Sequence, residues 1–444
     1  MTEKRRISLG LVGLGTVGQK VLQLFYNNRK IIAEKTGADI EFTRVCEKSE
    51  SLTRKFISNS KFGQIKVTKN WNDIVRDPSI DIVIELIGGY EPAKTVIYES
   101  IKSGKHVVTA NKAILSRDWD GIFTLVRKNQ KLVYFEASVG AGIPVIQALN
   151  EGLAANRIDR IMGILNGTTN YILTKMLKDN LEFDAALVQT QKAGFAEKNP
   201  ELDINGIDTL HKLTILSSIA WGSWVKPKNV YCEGLENLSL LDIRYAHDEF
   251  GYVTKLLGVA RQISGRENTF EIFVRPCLLR KDHQFANVEN EFNAILLNGN
   301  ASGEIIFYGK GAGGFPAASA VVSDIIFLAR QIAAGKAGSI PYISYDRGKK
   351  LDINDIKLSE GKYYLRFTTI EKPGVLSKIS GILAKYEVSI ASVYQKEQFS
   401  KYGRGVPILI LTHKTKEGDL RAAVKEINSL PIVKNKTVML KIEF

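Results

Sequence analysis

The chain is poor in cysteine: of 444 residues only Cys46, Cys232 and Cys277 are cysteines, far apart and without a CxxC pair. That excludes a disulfide scaffold and a thiolate zinc site, and it points to a reducing compartment. Long hydrophobic runs are scarce as well. Stretches such as Ile80–Ile87 fall short of the ~18–20 apolar residues that span a bilayer, so no membrane association is expected. The opening Met1-Thr2-Glu3-Lys4-Arg5-Arg6 leads straight into a strand-like run without the apolar region of a signal peptide, which predicts a cytoplasmic protein. Clustered positive charge is also missing. The formal net charge is +14, and residues 361–444 hold 15 Lys+Arg against 7 Asp+Glu, but this excess is scattered. With no basic run, helix-turn-helix or RNP signature, it reads as solvated surface and not as a nucleic-acid interface.

What is present is ordinary for a globular protein, 44% hydrophobic and 24% charged, and the length suggests about three domains. Strand patterns at 7–12, 40–46, 80–87, 106–110 and 131–137 alternate with helix patterns from 16, over 92–103 and over 119–128. This alternation predicts βαβ units and a mostly parallel sheet of the Rossmann type. From about residue 138 to 309 the order becomes that of an α+β substrate and dimerisation domain with an open sheet. A helix over 316–334 has apolar positions (Ala320, Val321, Ile325, Leu328) suited to packing back on the first domain, which therefore comprises 1–137 and 310–336. Residues 337–361 read as a linker. Residues 362–444 follow βαββαβ, the ferredoxin-like order.

Gly13-Leu14-Gly15-Thr16-Val17-Gly18 fits G-x-G-x-x-G between a strand and a helix. The first glycine permits the turn, the second the approach of a pyrophosphate, and the third close helix–strand packing. A dinucleotide cofactor is expected. Glu47 and Lys48 stand side by side after the second strand, so NAD and NADP both remain open. Thr109 stands near the C-terminal end of the strand at 106–110 and Lys112 just beyond it, where ligands bind in open α/β sheets. A second glycine-rich turn, Gly309–Gly314, includes Gly311.

The segment 193–212 crowds Glu197, Glu201, Asp203 and Asp208 together, a charge pattern suited to an ammonium group, and sets Lys212 four residues after Asp208 on a helix. An ordinary surface ion pair is the alternative for Asp208 and Lys212 taken alone. Gly167 and Thr168, at a strand-to-helix turn, could offer N–H and hydroxyl groups to a carboxylate. The turn Glu136–Pro144 has carbonyls and one carboxylate suited to a hard cation, with helix capping as the plainer reading.

Together, GLGTVG, VTANK, EASVGAGIP, GILNGTTNYI, GFAE, GIDTLHKLTIL and GAGGFPAASAVVSD, in this order over about residues 7–336, resemble homoserine dehydrogenases. The resemblance implies NAD(P)-dependent reduction of aspartate semialdehyde, with Lys112 and Lys212 on either side of the substrate and Lys212 as proton donor. Asp208 would orient that lysine; Glu197, Asp203, Gly167 and Thr168 would meet the substrate. Glu136, Val139, Ala141 and Ile143 would match the family's site for a monovalent cation, Na or K. One departure is Ala196-Glu197-Lys198-Asn199-Pro200, where many members read A-E-A-D-P. Residues 363–444 resemble an ACT domain, with Glu371-Lys372-Pro373-Gly374-Val375-Leu376 close to its D-x-P-G-x-L signature. That implies an amino-acid effector and a homodimer or homotetramer. Two rival readings are a dehydrogenase of another small amino-acid-like substrate and a sensor without turnover.

Overall fold

The computed structural model describes residues 5–57, 62, 64–395 and 405–443. They form two compact units. One gathers 5–161, 211–227 and 293–350; the other gathers 162–210, 228–292 and 351–443.

The first unit is built on β1 (Arg6–Val12), β2 (Asp39–Cys46), β3 (Lys66–Thr68), β4 (Ile82–Glu85), β5 (His106–Thr109) and β6 (Val133–Tyr134). The strands are parallel, in the order β3-β2-β1-β4-β5-β6, so the winding reverses between β1 and β4. Ligands bind at such a switch point. Ile7, Leu9 and Leu11 of β1 are fully buried and share a core with Val21, Leu22 and Phe25 of helix Thr16–Asn27. Val321, Ile325 and Leu328 of helix Gly314–Ala333 close the same core, as their spacing in the sequence predicts. Burying each such side chain stabilises by about 1.5–3 kcal/mol. That helix is long and apolar enough to cross a membrane, but its apolar stripe is in the core and its Asp324 is fully buried. It is a core helix.

The strand expected over 131–137 is cut to Val133–Tyr134. The Glu136 N–H donates to Asp324 at 2.9 Å, and Glu136–Ser138 turn as a 3-10 helix.

In the second unit an antiparallel hairpin joins Tyr252–Gln262 to Thr269–Arg280, in register from Phe270↔Gln262 to Arg280↔Tyr252. The tail folds as βαββαβ, with strands Glu360–Thr369, Ile390–Tyr394, Val406–Thr412 and Val433–Ile442 and helices Val375–Lys385 and Glu417–Asn428. Ile379, Leu383, Leu420 and Ile427 cover one face of that sheet against Tyr363, Leu365, Phe367 and Ile410.

This tail continues the sheet of its unit: Cys277 and Leu278 pair in parallel with Lys441 and Ile442. Buried charges reinforce the seam. Arg275, fully buried, donates to both oxygens of Glu417 at 2.9 Å. Asp242, also fully buried, accepts from Arg366 at 2.6 and 2.9 Å. Lys441 reaches Glu271 at 2.9 Å, and Arg261 reaches Glu443 at 2.8 Å. The stretch 337–361 is docked as well. Tyr342 stacks on Tyr134 with ring centroids 3.9 Å apart, and Asp352–Ile353 pair with Thr269–Phe270.

Candidate active site

In the first unit, β1 is followed directly by Gly13, whose φ of +104° is open to glycine; a Cβ there would lie 2.7 Å from the Leu86 carbonyl oxygen. A Cβ on Gly18 would lie 2.2 Å from the Gly13 carbonyl oxygen, whereas one on Gly15 meets nothing within 4 Å. The first and third glycines serve the fold, and the second leaves the backbone of Leu14, Gly15, Thr16 and Val17 open to an approaching pyrophosphate. These residues fit a dinucleotide. Glu47 is bound into this loop, accepting Leu14 N–H and Ser49 N–H at 2.8 Å each.

The second glycine turn lies beside the first. A Cβ on Gly314 would sit 3.2 Å from Thr16 Cγ2, so two helix N-termini converge, and both favour anions. Gly311 packs directly under the Asn293 amide, which is fully buried with neither polar atom hydrogen-bonded among the described residues.

At the ends of β4 and β5, the Thr109 hydroxyl donates to Glu85 at 2.7 Å and accepts the Asn111 N–H at 3.0 Å. Burial pushes the Glu85 carboxyl up. Asn111 donates to the Gly89 carbonyl at 2.8 Å, and its side chain caps helix Lys112–Arg117. Thr109 therefore shapes the turn that presents Lys112. Glu85 and Asn111, which sequence reading passed over, do the same.

Helix Ile207–Trp221 carries Asp208 in its first turn and Lys212 one turn on, 8% exposed. Its part within the first unit is bound to the Lys112 helix. Ser116 and Thr214 hydroxyls lie 2.8 Å apart, and Trp224 Nε1 donates to the Ser116 carbonyl at 3.0 Å. Ser116 is one turn from Lys112 and Thr214 is two residues from Lys212. The two lysines thus stand on neighbouring helices.

The turn 136–143 also belongs to this unit. Glu136 is 2% exposed and accepts Ile146 and Gln147 N–H at 2.8 Å each; burial raises its carboxyl to about 7. Its carboxylate caps the following helix, so only the carbonyl oxygens of Glu136, Val139, Ala141 and Ile143 could serve a cation here; those of Glu136 and Ile143 also accept Val139 N–H at 3.4 Å and Val145 N–H at 2.8 Å. Ala141 has a φ of +46°, and Val139 and Ile143 are buried. A carbonyl set fits a hard, low-charge ion. Among the described residues no group of three His, Cys, Asp or Glu is placed to hold a metal.

In the second unit, Asn166 lies two residues past the strand Ile158–Ile164 and caps helix Gly167–Lys178, accepting Thr169 N–H at 2.8 Å. Its amide nitrogen donates to Asp203 at 2.7 Å and to Asp208 at 2.8 Å. The Thr168 hydroxyl donates to the Phe195 carbonyl at 2.6 Å, and Phe195 lies against Tyr171 with ring centroids 4.9 Å apart. Glu197, two residues on, is exposed; Gln191 donates to its carbonyl at 3.1 Å. Gly167, Thr168, Asp203 and Asp208 are thus gathered around Asn166, which sequence reading did not single out. Lys198 and Asn199 are exposed, and Asn199 accepts Glu201 N–H at 3.3 Å.

None of the cysteines suits a nucleophile. Burial pushes the thiols of Cys46 and Cys232 up to about 11, and that of fully buried Cys277 higher still.

Comparison with known proteins decides the family. Residues 144–326 match the family described as homoserine dehydrogenase, 13–136 its NAD-binding domain and 363–432 the ACT domain. A Pseudomonas aeruginosa homoserine dehydrogenase is 38% identical over 98% of this chain and 99% of its own. The chain belongs to the homoserine dehydrogenase family. It is an NAD(P)-dependent oxidoreductase with an ACT domain at its C-terminus. A Thiobacillus denitrificans homoserine dehydrogenase structure superposes with a TM-score of 0.92 at 39% identity, covering 100% of this chain and 99% of that one. A hyperthermophilic archaeal homoserine dehydrogenase, solved in complex with NADPH, covers 72% of this chain at a TM-score of 0.59 and 26% identity, and 97% of its own chain is matched.

Proposed function

We propose that this chain catalyses the reversible NAD(P)H-dependent reduction of L-aspartate 4-semialdehyde to L-homoserine, in the pathway from aspartate to threonine, methionine and isoleucine. The observation that carries the reading is the pairing of the Lys112 and Lys212 helices through Ser116 and Thr214, beside two glycine turns fit for a dinucleotide. When bound, the reduced nicotinamide supplies hydride to the aldehyde carbon. Lys212 then gives its Nζ proton to the carbonyl oxygen as that oxygen gains negative charge, while Asp208, one turn earlier, holds the lysine in place. Lys112 stabilises the same oxygen. Glu197 and Asp203 take the substrate ammonium, and Gly167 and Thr168 its carboxylate. Thr109 and Gly311 line the cofactor side. Carbonyls of Glu136, Val139, Ala141 and Ile143 would hold a sodium or potassium ion, whose charge would keep this turn in shape. The enzyme works in the cytoplasm as a homodimer or homotetramer, with an amino-acid effector acting through the ACT domain.

The test is absorbance at the reduced-nicotinamide band, with homoserine and either NADP or NAD. Homoserine-dependent reduction of one of them is expected. Absence of signal with both would sink the reading.

A further inference from the structure

Lys255, on strand Tyr252–Gln262 of the second unit, is 2% exposed and makes no ion pair among the described residues. It donates to the Asn170 side-chain oxygen at 3.1 Å and to the Val288 carbonyl at 2.5 Å. Glu289, the acid that bears on it, is paired instead with Lys178 at 2.5 Å. Burial lowers the ammonium to about 8, so it keeps its proton near neutral pH. Burying an unpaired charge is costly, and an apolar side chain of similar length avoids that cost. The clamp on segment 288–292 does not depend on it. Asn170 already donates to the carbonyls of Val288, Asn290 and Phe292 at 3.1, 3.0 and 3.1 Å, and the Thr174 hydroxyl accepts Asn290 N–H at 3.0 Å. What Lys255 adds is its charge.

That charge stands at the positive end of a helix. Asn170 is three residues into helix Gly167–Lys178, ~4.5 Å along its axis from Gly167, and helical side chains lean toward the N-terminus. The helix dipole opposes a cation there and favours one at the far end, where Lys175 and Lys178 pair with Asp179 and Glu289. An anion at the N-terminus relieves the dipole and the buried ammonium together. Room for one is present: Asn166 takes up Thr169 N–H, and the N–H groups of Gly167 and Thr168 have no acceptor among the described residues. Segment 288–292 backs onto the same end, since a Cβ on Gly167 would lie 2.7 Å from the Glu291 carbonyl oxygen. Beside these N–H groups Asn166 holds Asp203 and Asp208, whose negative charge opposes an incoming carboxylate. A nearby positive charge offsets that opposition.

We propose that Lys255 is a positioning residue for the substrate: through Asn170 and the first turn of its helix, its buried charge holds the homoserine carboxylate on the Gly167 and Thr168 N–H groups. The inference deepens the reading of those two residues as the carboxylate site and rests on it.

Kinetics near neutral pH with L-homoserine and L-homoserinamide, which differ in the carboxylate charge, test it in the wild-type chain, Lys255→Met and Lys255→Gln. KM is read for both compounds, or the inhibition constant where the amide is not turned over. The wild-type value is expected to be at least about tenfold lower for homoserine than for the amide. Both variants should raise KM for homoserine about tenfold while the amide constant and the cofactor dissociation constant stay within about twofold, so the preference shrinks. Glutamine keeps a donor without the charge, so wild-type kinetics in Lys255→Gln would make Lys255 a hydrogen-bonding strut and overturn the inference. Equal losses for both compounds overturn it too. So does a wild-type chain that does not prefer homoserine, an arm that needs no variant to fold. Homoserine turnover with an unchanged preference in the variants overturns this inference alone. No turnover of homoserine by the wild-type chain with either cofactor overturns the dehydrogenase reading, and this inference with it.

Discussion

Asn166 donates to Asp208 at 2.8 Å in a buried setting, with Asp203 on the same amide nitrogen at 2.7 Å. Two carboxylates are thereby held side by side by one neutral donor. We predict that Asn166→Ala raises KM for homoserine about tenfold, since leaving a buried polar group unpaired costs about 1–3 kcal/mol. Asn166→Asp, nearly the same shape, adds a third carboxylate and should be worse. Steady-state kinetics beside a melting curve check this. A lowered melting midpoint with unchanged KM would make Asn166 only a helix cap.

The three glycines of the first turn should separate by role. Gly18→Ala pushes a methyl into the Gly13 carbonyl and should lower the melting midpoint. Gly15→Ala meets open space and should leave stability alone while weakening cofactor binding. Fluorescence titration of reduced cofactor and thermal melts of both variants distinguish the two. Equal stability losses would refute the division.

His106 gives a pH prediction. It is 7% exposed, accepts Leu132 N–H through Nδ1 at 3.2 Å, and burial with help from Lys131 lowers it to about 4. The unfolded chain therefore binds a proton at this site between about pH 6.5 and 4 while the folded chain does not. Stability should fall by up to about 3 kcal/mol as pH drops through that window, and stay flat from this source above it. His106→Gln should flatten the slope in denaturant titrations. An unchanged slope would mean that the ring charges without cost.

Much of this was legible in the sequence, because Rossmann strands buried on both faces read as plain apolar runs and the tail's alternation survives in βαββαβ order. The strand Tyr252–Gln262 was not. Its buried face includes Lys255, which breaks the apolar run. Only the fold shows that lysine held by the Asn170 side chain at 3.1 Å and the Val288 carbonyl at 2.5 Å. Helix Leu240–Asp248 hides a fully buried Asp242 in the same way. Glycine and proline made 337–361 read as linker, although Tyr342 and Tyr345 pack within their unit. Asn166 carries no charge, so a search for acids and lysines skipped it. Long-range pairs such as Arg275 with Glu417 leave no local trace at all.

Those pairs change what truncation should do. From the linker reading, the tail would be separable. Removing everything after Tyr345 instead strips partners from Arg275, Asp242 and Glu271, all buried. Breaking a buried ion pair costs about 3–5 kcal/mol. We predict that the shortened chain is aggregated or unfolded by circular dichroism. A soluble shortened chain with full activity would contradict this.

Replacing Lys212 with alanine tests the chemistry most directly, measured as kcat for homoserine oxidation with the cofactor dissociation constant determined alongside. General acid–base catalysis is worth ~10²–10⁴-fold. The expected result is a kcat lower by about that factor, with cofactor binding unchanged because Lys212 serves the substrate oxygen. A variant that keeps more than about a tenth of wild-type kcat, below even the lower limit for such a group, would remove Lys212 from proton transfer.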